Sequence, residues 1–310
     1  MLEGCLGALA GHELHAGMPG SDPLAAALVC DPTQAVDADA QRRMPRLRVI
    51  GVAGAGSDAV DHAAACAAGV AVLTAGEALV QSTADLAFGL IISACRLMHD
   101  AEQTLRDGAW RGWRYVEESP AAGAPAAGAA GAKLRFGRDV HGATLGLVGY
   151  GAIARAVAAR ARGFEMTVRH HTRHPTGIEG WVEDLDELIA GSDILSIHVP
   201  LDASTRGLID RRRIGLLRAT AVLVNTARGA VLDERALAEA LVEGRLFAAG
   251  LDVYAGEPEV CPSLLAAPRT VLLPHIGSAT MRTRRAMLAG AAAKVAGFLG
   301  GEPGASPSRG

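Results

Sequence analysis

Residues 144–154 read Thr-Leu-Gly-Leu-Val-Gly-Tyr-Gly-Ala-Ile-Ala, a short apolar run that passes through closely spaced glycines into an alanine-rich segment. An apolar run this short, followed at once by helix-forming sequence, reads as a buried strand turning into a helix. The spacing Gly149-x-Gly151-x-x-Ala154 gives each small residue a task. Gly149 permits a tight turn, Gly151 lets the backbone come close to a phosphate, and Ala154 lets the helix pack against the strand. A helix over 152–162 then aims its unpaired N–H groups and positive dipole end at an anion. Such a unit either cradles a dinucleotide pyrophosphate, through Gly149, Tyr150, Gly151, Ala152 and Ile153, or is a purely structural strand–turn–helix. The intact flanks favour the cradle and commit the chain to an α/β architecture.

From there on, apolar segments alternate with helical ones. Strands are expected over 144–148, 166–170, 194–199, 221–225, 248–252 and 270–273. Helices are expected over 152–162, 185–190, 211–217, 234–243 and, longest, 280–299. This alternation argues for a doubly wound parallel sheet, whose ligands sit just beyond the carboxyl ends of the strands. The earlier part reads as a second α/β unit. It has strands over 46–52 and 70–73, a glycine-rich turn at 53–58, and one long amphipathic helix over 83–106, capped by Thr83 and ended before Gly108. Two domains suit a chain of 310 residues, at roughly 100–200 residues each. Residues 119–132, mostly Ala, Pro and Gly, cannot bury enough to order themselves and read as a mobile insertion; 300–310 are similar.

Several function classes drop out. The net charge is -3, with no basic cluster dense enough for nucleic acid. The longest apolar run, 86–95, falls short of the ~20 residues a membrane span needs, and the first residues lack the positive start of a signal peptide. Five cysteines without Cys-x-x-Cys spacing read as reduced thiols in a cytoplasmic protein. No metal-ligand pattern appears, because His170 and His171 are neighbours on a strand and point to opposite faces.

Three residues just past expected strands carry chemistry: Arg228, Glu257 and His275. Singly, each has a bland reading, as a surface ion-pair partner, a turn residue before Pro258 and a loop histidine. Together, after a nucleotide turn, they suit hydride transfer to a carbonyl. A guanidinium stabilises the charge that develops on the carbonyl oxygen, a histidine supplies the proton near neutral pH, and a carboxylate beside it favours the charged ring and orients it.

The motifs Gly149-x-Gly151-x-x-Ala154, His198-Val-Pro-Leu, Asn225-Thr-Ala-Arg-Gly, Gly250-Leu-Asp-Val and Pro274-His-Ile-Gly-Ser-Ala-Thr resemble the D-isomer-specific 2-hydroxyacid dehydrogenase family over about 46–303. Within it, Gly108-Ala-Trp-Arg-Gly-Trp113 and 274–280 resemble the glyoxylate/hydroxypyruvate reductases most. The resemblance implies a flavodoxin-like substrate domain (1–95, completed by 284–310) hinged to a Rossmann domain (96–283), working as a homodimer on a small 2-keto acid. It implies that Arg228 grips the substrate carboxylate and polarises the keto oxygen, that His275 is the acid/base with Glu257 as partner, and that the N–H groups of Ala55 and Gly56 bind the carboxylate. It further implies a cofactor site including Thr83, Val199, Pro200, Thr205, Thr226, Ala227, Arg228, Asp252, His275 and Gly277, with Asp252 on the nicotinamide carboxamide and Thr83 near the phosphates.

An NAD site presents an Asp or Glu to the ribose 2′-hydroxyl about 20 residues past the glycines. The family's acid falls on Thr172, and no carboxylate lies between Met166 and Ile178. A 2′-phosphate then meets no repulsion. Arg173 offers a bidentate grip, Thr172 a hydrogen bond and His174 assistance, so NADP(H) is favoured over NAD(H).

The chain departs from the resemblance at its start. A helix is expected over 2–9 and strands over 12–16 and 26–30, without the strand that lies between them in the order 2-1-3-4-5, which suggests that the true start is further upstream. Alternatives to a glyoxylate or hydroxypyruvate reductase are a dehydrogenase of 3-phosphoglycerate or D-lactate, and a dinucleotide-sensing corepressor.

Overall fold

The computed structural model describes residues 5–110, 112, 115–116 and 134–301; the run 119–132 lies outside them. The chain divides into two units, one formed by Met1–Ser82 with Ser278–Gly310 and the other by Thr83–Gly277. The expected boundary at 95/96 falls inside the second unit, at the end of a helix, Val80–Cys95.

The first unit is built on three parallel strands, β1 (Ala27–Cys30), β2 (Val49–Val52) and β3 (Ala71–Thr74), in the order β1-β2-β3. Val36, Met44, Leu47, Ile50 and Val60 form the core on one face. On the other face Leu9, Val49 and Leu73 pack against Ala292 and Val295 of the final helix, Met281–Gly300. A sheet covered on both faces has no alternation of polar residues, and β2 is buried along its whole length. Of the helix expected over 2–9, residues 2–4 lie outside the described residues, and the rest holds a short 3₁₀ turn, Gly7–Leu9. Residues 12–16 form no strand. Their one bulky apolar side chain, Leu14, is exposed, and His15 bonds instead to Glu13 at 3.0 Å.

The second unit contains a two-stranded pair, β4 (Tyr115–Val116) and β5 (Leu134–Arg135). Its main sheet comprises β6 (Thr144–Val148), β7 (Thr167–His171), β8 (Ile194–Ile197), β9 (Val222–Asn225), β10 (Ala248–Leu251) and β11 (Thr270–Leu272). All pair parallel, in the order β11-β10-β9-β8-β6-β7. A single parallel bridge from His170 to Trp181 stands outside β7, where a further strand would lie. Strand order therefore reverses at β6, and the glycine turn follows β6 directly. That is the switch point where open α/β sheets take their ligands.

Leu188, Ile189, Leu195, Ile197, Leu223, Leu237, Leu241 and Leu251 share one core. Fully burying side chains of this size stabilises by about 1.5–3 kcal/mol each. Asp184, Asp210 and Asp233 cap the helices that follow, each accepting a backbone N–H.

The helix expected over 83–106 is two helices, Val80–Cys95 and Met98–Arg106, broken at Leu97 with φ +50°. The break has a tertiary cause. Arg138 N–H takes the carbonyl of Cys95 at 2.7 Å, an acceptor that a continuous helix would use itself. Thr83 is accordingly an interior residue of its helix and not its cap. The stretch Gly76–Cys95 is long and apolar enough to cross a membrane by length and composition. Here it is a core helix, with Ala84, Ala87, Leu90, Ile91 and Ala94 buried.

Candidate active site

β9, β10 and β11 each end in a loop that carries one of the three chemistry-bearing residues, and all three lie in the second unit. Asn225 closes β9 and holds the loop in two places. Its Oδ1 accepts the N–H of Ala227 at 3.0 Å, and its Nδ2 donates to the carbonyl of Arg228 at 3.0 Å. The guanidinium of Arg228 donates to the carbonyl of Ala227 at 2.7 Å. Gly229 follows, and a Cβ placed on it would sit 1.9 Å from the carbonyl carbon of Tyr254 and 2.2 Å from the nitrogen of Ala255. The loop after β9 thus lies backbone to backbone on the loop after β10.

That second loop is clamped from the other side. Buried Glu234, the first residue of its helix, accepts the N–H of Ala255 at 2.6 Å. Burial pushes the Glu234 carboxyl up and the bond to Ala255 opposes this. The N–H of Tyr254 donates to Glu257 Oε1 at 2.8 Å, and its hydroxyl, pushed up to about 12 mainly by burial, donates to the carbonyl of Leu273 at 3.0 Å. The loops after β10 and β11 are so joined just ahead of His275.

Glu257 Oε2 lies 2.7 Å from His275 Nδ1. With Nδ1–H directed at the carboxylate, Nε2 is the ring atom left for a substrate. His275 has φ +54°, a left-handed conformation uncommon outside glycine and costing on the order of 1–3 kcal/mol unless its surroundings impose it. Asp252 imposes it. Fully buried at the end of β10, it accepts the N–H of Ile276 at 2.7 Å and of Gly277 at 2.8 Å, one on each oxygen. Burial raises its pKa, and those two bonds work against the rise. Thr83 Oγ1 makes a long contact, 3.4 Å, to the carbonyl of Gly277. The structure therefore sets Thr83 and Asp252 behind the His275 loop. Thr83 is expected near the phosphates of a cofactor and Asp252 on its carboxamide; here Thr83 meets Gly277, and each oxygen of Asp252 holds one loop amide.

These residues coincide with the segment shared with known proteins. Residues 88–277 match the model of the D-isomer specific 2-hydroxyacid dehydrogenase, NAD binding domain. The chain belongs to this family.

It is 35% identical over 283 residues to a glyoxylate reductase of Thermococcus kodakarensis, covering 89% of this chain and 80% of that protein. It is 38% identical over 274 residues to glyoxylate/hydroxypyruvate reductase B of Pectobacterium atrosepticum, covering 86% and 80%. Among solved structures, an NADPH-dependent glyoxylate/hydroxypyruvate reductase of Sinorhizobium meliloti in complex with NADP and malonate superposes with a TM-score of 0.79 at 31% identity, covering 92% of this chain and 84% of that one. This protein is accordingly an oxidoreductase, a 2-hydroxyacid dehydrogenase.

The dinucleotide turn fits its group. Gly149 has φ +91°, and a Cβ there would meet the carbonyl of His198 at 2.7 Å and Val199 at 3.0 Å. Its N–H bonds to the carbonyl of His171 at 2.9 Å. A Cβ on Gly151 would meet nothing within 4 Å, so the backbone lies open to a ligand there. Gly151 heads the helix Ala152–Arg162 without a side-chain cap, while Ala154 is wholly buried. The buried hydroxyl of Thr226 has no partner among the described residues, a polar atom that suits a bound group. Thr205 instead braces its own loop, donating to the carbonyl of Pro200 at 2.7 Å and accepting the N–H of Asp202 at 2.8 Å.

At the ribose end, the Thr172 hydroxyl, expected to donate to a phosphate, donates to the carbonyl of His174 at 2.7 Å. Arg173, 70% exposed, lies 3.7 Å from Asp202 and 3.4 Å from Ser204 Oγ. His174 is exposed. Ala55 and Gly56 belong to the first unit. Their turn is fixed by Ala75 N–H on the carbonyl of Gly54, and their own N–H groups meet no acceptor among the described residues.

Sequence reasoning missed Glu234 and Arg155. An acid after a capping Asp reads as an ordinary first-turn residue, and nothing local shows that Glu234 reaches Ala255. Arg155 Nη1 reaches back to the carbonyl of Tyr150 at 3.1 Å, placing a cation against the phosphate turn. Replacing Glu234 with alanine leaves Ala255 N–H without its acceptor and loosens the Glu257 loop. We expect kcat to fall by about tenfold while the melting temperature drops, with Glu234→Gln, which keeps an acceptor, recovering most of both.

Proposed function

We propose that this dehydrogenase reduces small 2-keto acids, glyoxylate or hydroxypyruvate, to D-2-hydroxy acids with a reduced nicotinamide dinucleotide, NADPH in preference to NADH. The observation that carries the reading is the 2.7 Å pair between His275 Nδ1 and Glu257 Oε2, on a loop joined through Tyr254 to the one that bears Arg228. The names of the relatives support the substrate.

The bound cofactor would be held by the 149–153 turn and the 225–228 loop, and it supplies the hydride. Arg228 stabilises the charge that grows on the keto oxygen. His275 donates the proton from Nε2, and Glu257 holds the ring and balances its positive charge.

Two features support NADPH. No carboxylate replaces the one that an NAD site presents at position 172, and among the described residues Arg173 makes exposed, long contacts. A dianionic phosphate outcompetes one exposed aspartate for a guanidinium. Arg173→Ala should raise the KM for NADPH far more than that for NADH; an equal effect on both contradicts the assignment. Assaying glyoxylate and hydroxypyruvate with each nicotinamide, followed by absorbance of the reduced ring, tests the whole reading. Tight NADPH binding without turnover of either acid refutes it.

The chain is proposed to act as a homodimer in the cytoplasm. Exposed Met98 and Leu105, with the stacked rings of Tyr115 and Phe136, support an apolar contact surface for a second copy. The cysteines are free thiols, Cys30 and Cys95 pushed up to about 11 and about 12 by burial, which suits a reducing compartment.

A further inference from the structure

Tyr150, between the two turn glycines, lays its ring on the imidazole of His170, with centroids 3.7 Å apart and planes 18° from parallel. His170 sits on β7 with no exposed surface. Its Nε2 lies 2.8 Å from Thr176 Oγ1, and its Nδ1 is buried without a partner among the described residues. A buried N–H without an acceptor is rarer and costlier than a lone pair without a donor. The hydrogen is therefore assigned to Nε2 and donated to Thr176 Oγ1, which also accepts the N–H of Ile178 at 3.2 Å. Burial, then the neighbouring His171, lowers the His170 pKa and keeps the ring neutral.

Thr176 closes the turn that carries Thr172, Arg173 and His174. One line of side chains thus runs from the pyrophosphate turn, across the end of β7, to the turn at the ribose end. Along it, among the described residues, the backbone adds Gly149 N–H on the carbonyl of His171 and the crossing of 180–182 over His170. Bulk alone would be met by two aliphatic side chains. A flat stack with a directed hydrogen bond on its far edge instead fixes both distance and orientation.

We infer that Tyr150, His170 and Thr176 are positioning residues for the cofactor: the stack sets the glycine turn against β7, and the Thr176 bond sets the Arg173 turn relative to it. The inference rests on the dinucleotide reading of 149–154 and, for the Thr176 arm, on the 2′-phosphate reading of Arg173.

The test is calorimetric binding of ADP-ribose and 2′-phospho-ADP-ribose, which carry the pyrophosphate and ribose without nicotinamide. The proteins are the whole chain, Tyr150→Ala, Tyr150→Phe and Thr176→Val, each with its melting temperature. Tyr150→Ala should weaken both ligands by about three- to tenfold, the worth of such a stack, while Tyr150→Phe, which keeps the ring, binds as the unaltered chain does. Thr176→Val should weaken the 2′-phosphate ligand more than ADP-ribose. If Tyr150→Ala does not fold, Tyr150→Leu, which keeps bulk and loses the flat face, takes its place with the same expectation.

Unchanged binding in Tyr150→Ala, or Tyr150→Phe as weak as Tyr150→Ala, overturns the stack. Equal loss of both ligands in Thr176→Val overturns the second arm. If the unaltered chain binds both ligands alike and Tyr150→Ala weakens both, the 2′-phosphate reading falls and the stack stands. If it binds neither, the dinucleotide reading and the inference fall together.

Discussion

Replacing His275 with asparagine lowers kcat for glyoxylate reduction by about 10²–10⁴-fold, the contribution of a positioned proton donor, with a much smaller change in KM for the keto acid. Asparagine is chosen for two reasons. It tolerates the left-handed backbone at 275 better than most residues, so Asp252 keeps its grip on the amides of Ile276 and Gly277. It also cannot deliver a proton. Glu257→Gln is the milder variant. It retains an oxygen for Tyr254 N–H but removes the charge that balances the protonated ring, so it lowers kcat by less than His275→Asn. The comparison is made at saturating cofactor, and melting temperatures close to that of the unaltered chain exclude collapse of the loop.

Gly229→Ala is expected to lower turnover by about 10²-fold by forcing two backbone segments apart. The added methyl would stand 1.9 Å from the Tyr254 carbonyl carbon, and both partners are backbone, so no side chain can swing away. Either the loop bearing Arg228 or the one bearing Glu257 must shift. A displacement near 1 Å costs about 10²-fold in rate where groups must be aligned, and overpacking costs about 1–3 kcal/mol of stability. Turnover near that of the unaltered chain would show that the two loops are not interlocked as described.

Much of this was legible in the sequence because β6, β8, β9 and β10 are buried almost throughout and are mostly apolar, and because Gly149 and Ala154 answer to local sterics. Arg228, Glu257 and His275 were found as residues following strands. What escaped was set by distant chain. The break at Leu97 depends on Arg138, forty-one residues on, taking the Cys95 carbonyl. Glu234 matters only because it reaches Ala255. That Thr83 meets the carbonyl of Gly277 is not visible in its own helix, because the partner lies 194 residues on. Residues 12–16 carry an alternating pattern too weak in apolar residues to hold a strand.

His275 and Glu257 are proposed to act as one unit on a keto acid polarised by Arg228. A double-mutant cycle on kcat with NADPH and glyoxylate tests it most directly, using His275→Asn, Glu257→Gln and the two combined. Groups that act as a unit are non-additive, so the double variant should be no slower than His275→Asn alone. Losses that multiply in the double variant would mean that the 2.7 Å pair does no joint chemistry, and would contradict the proposed mechanism.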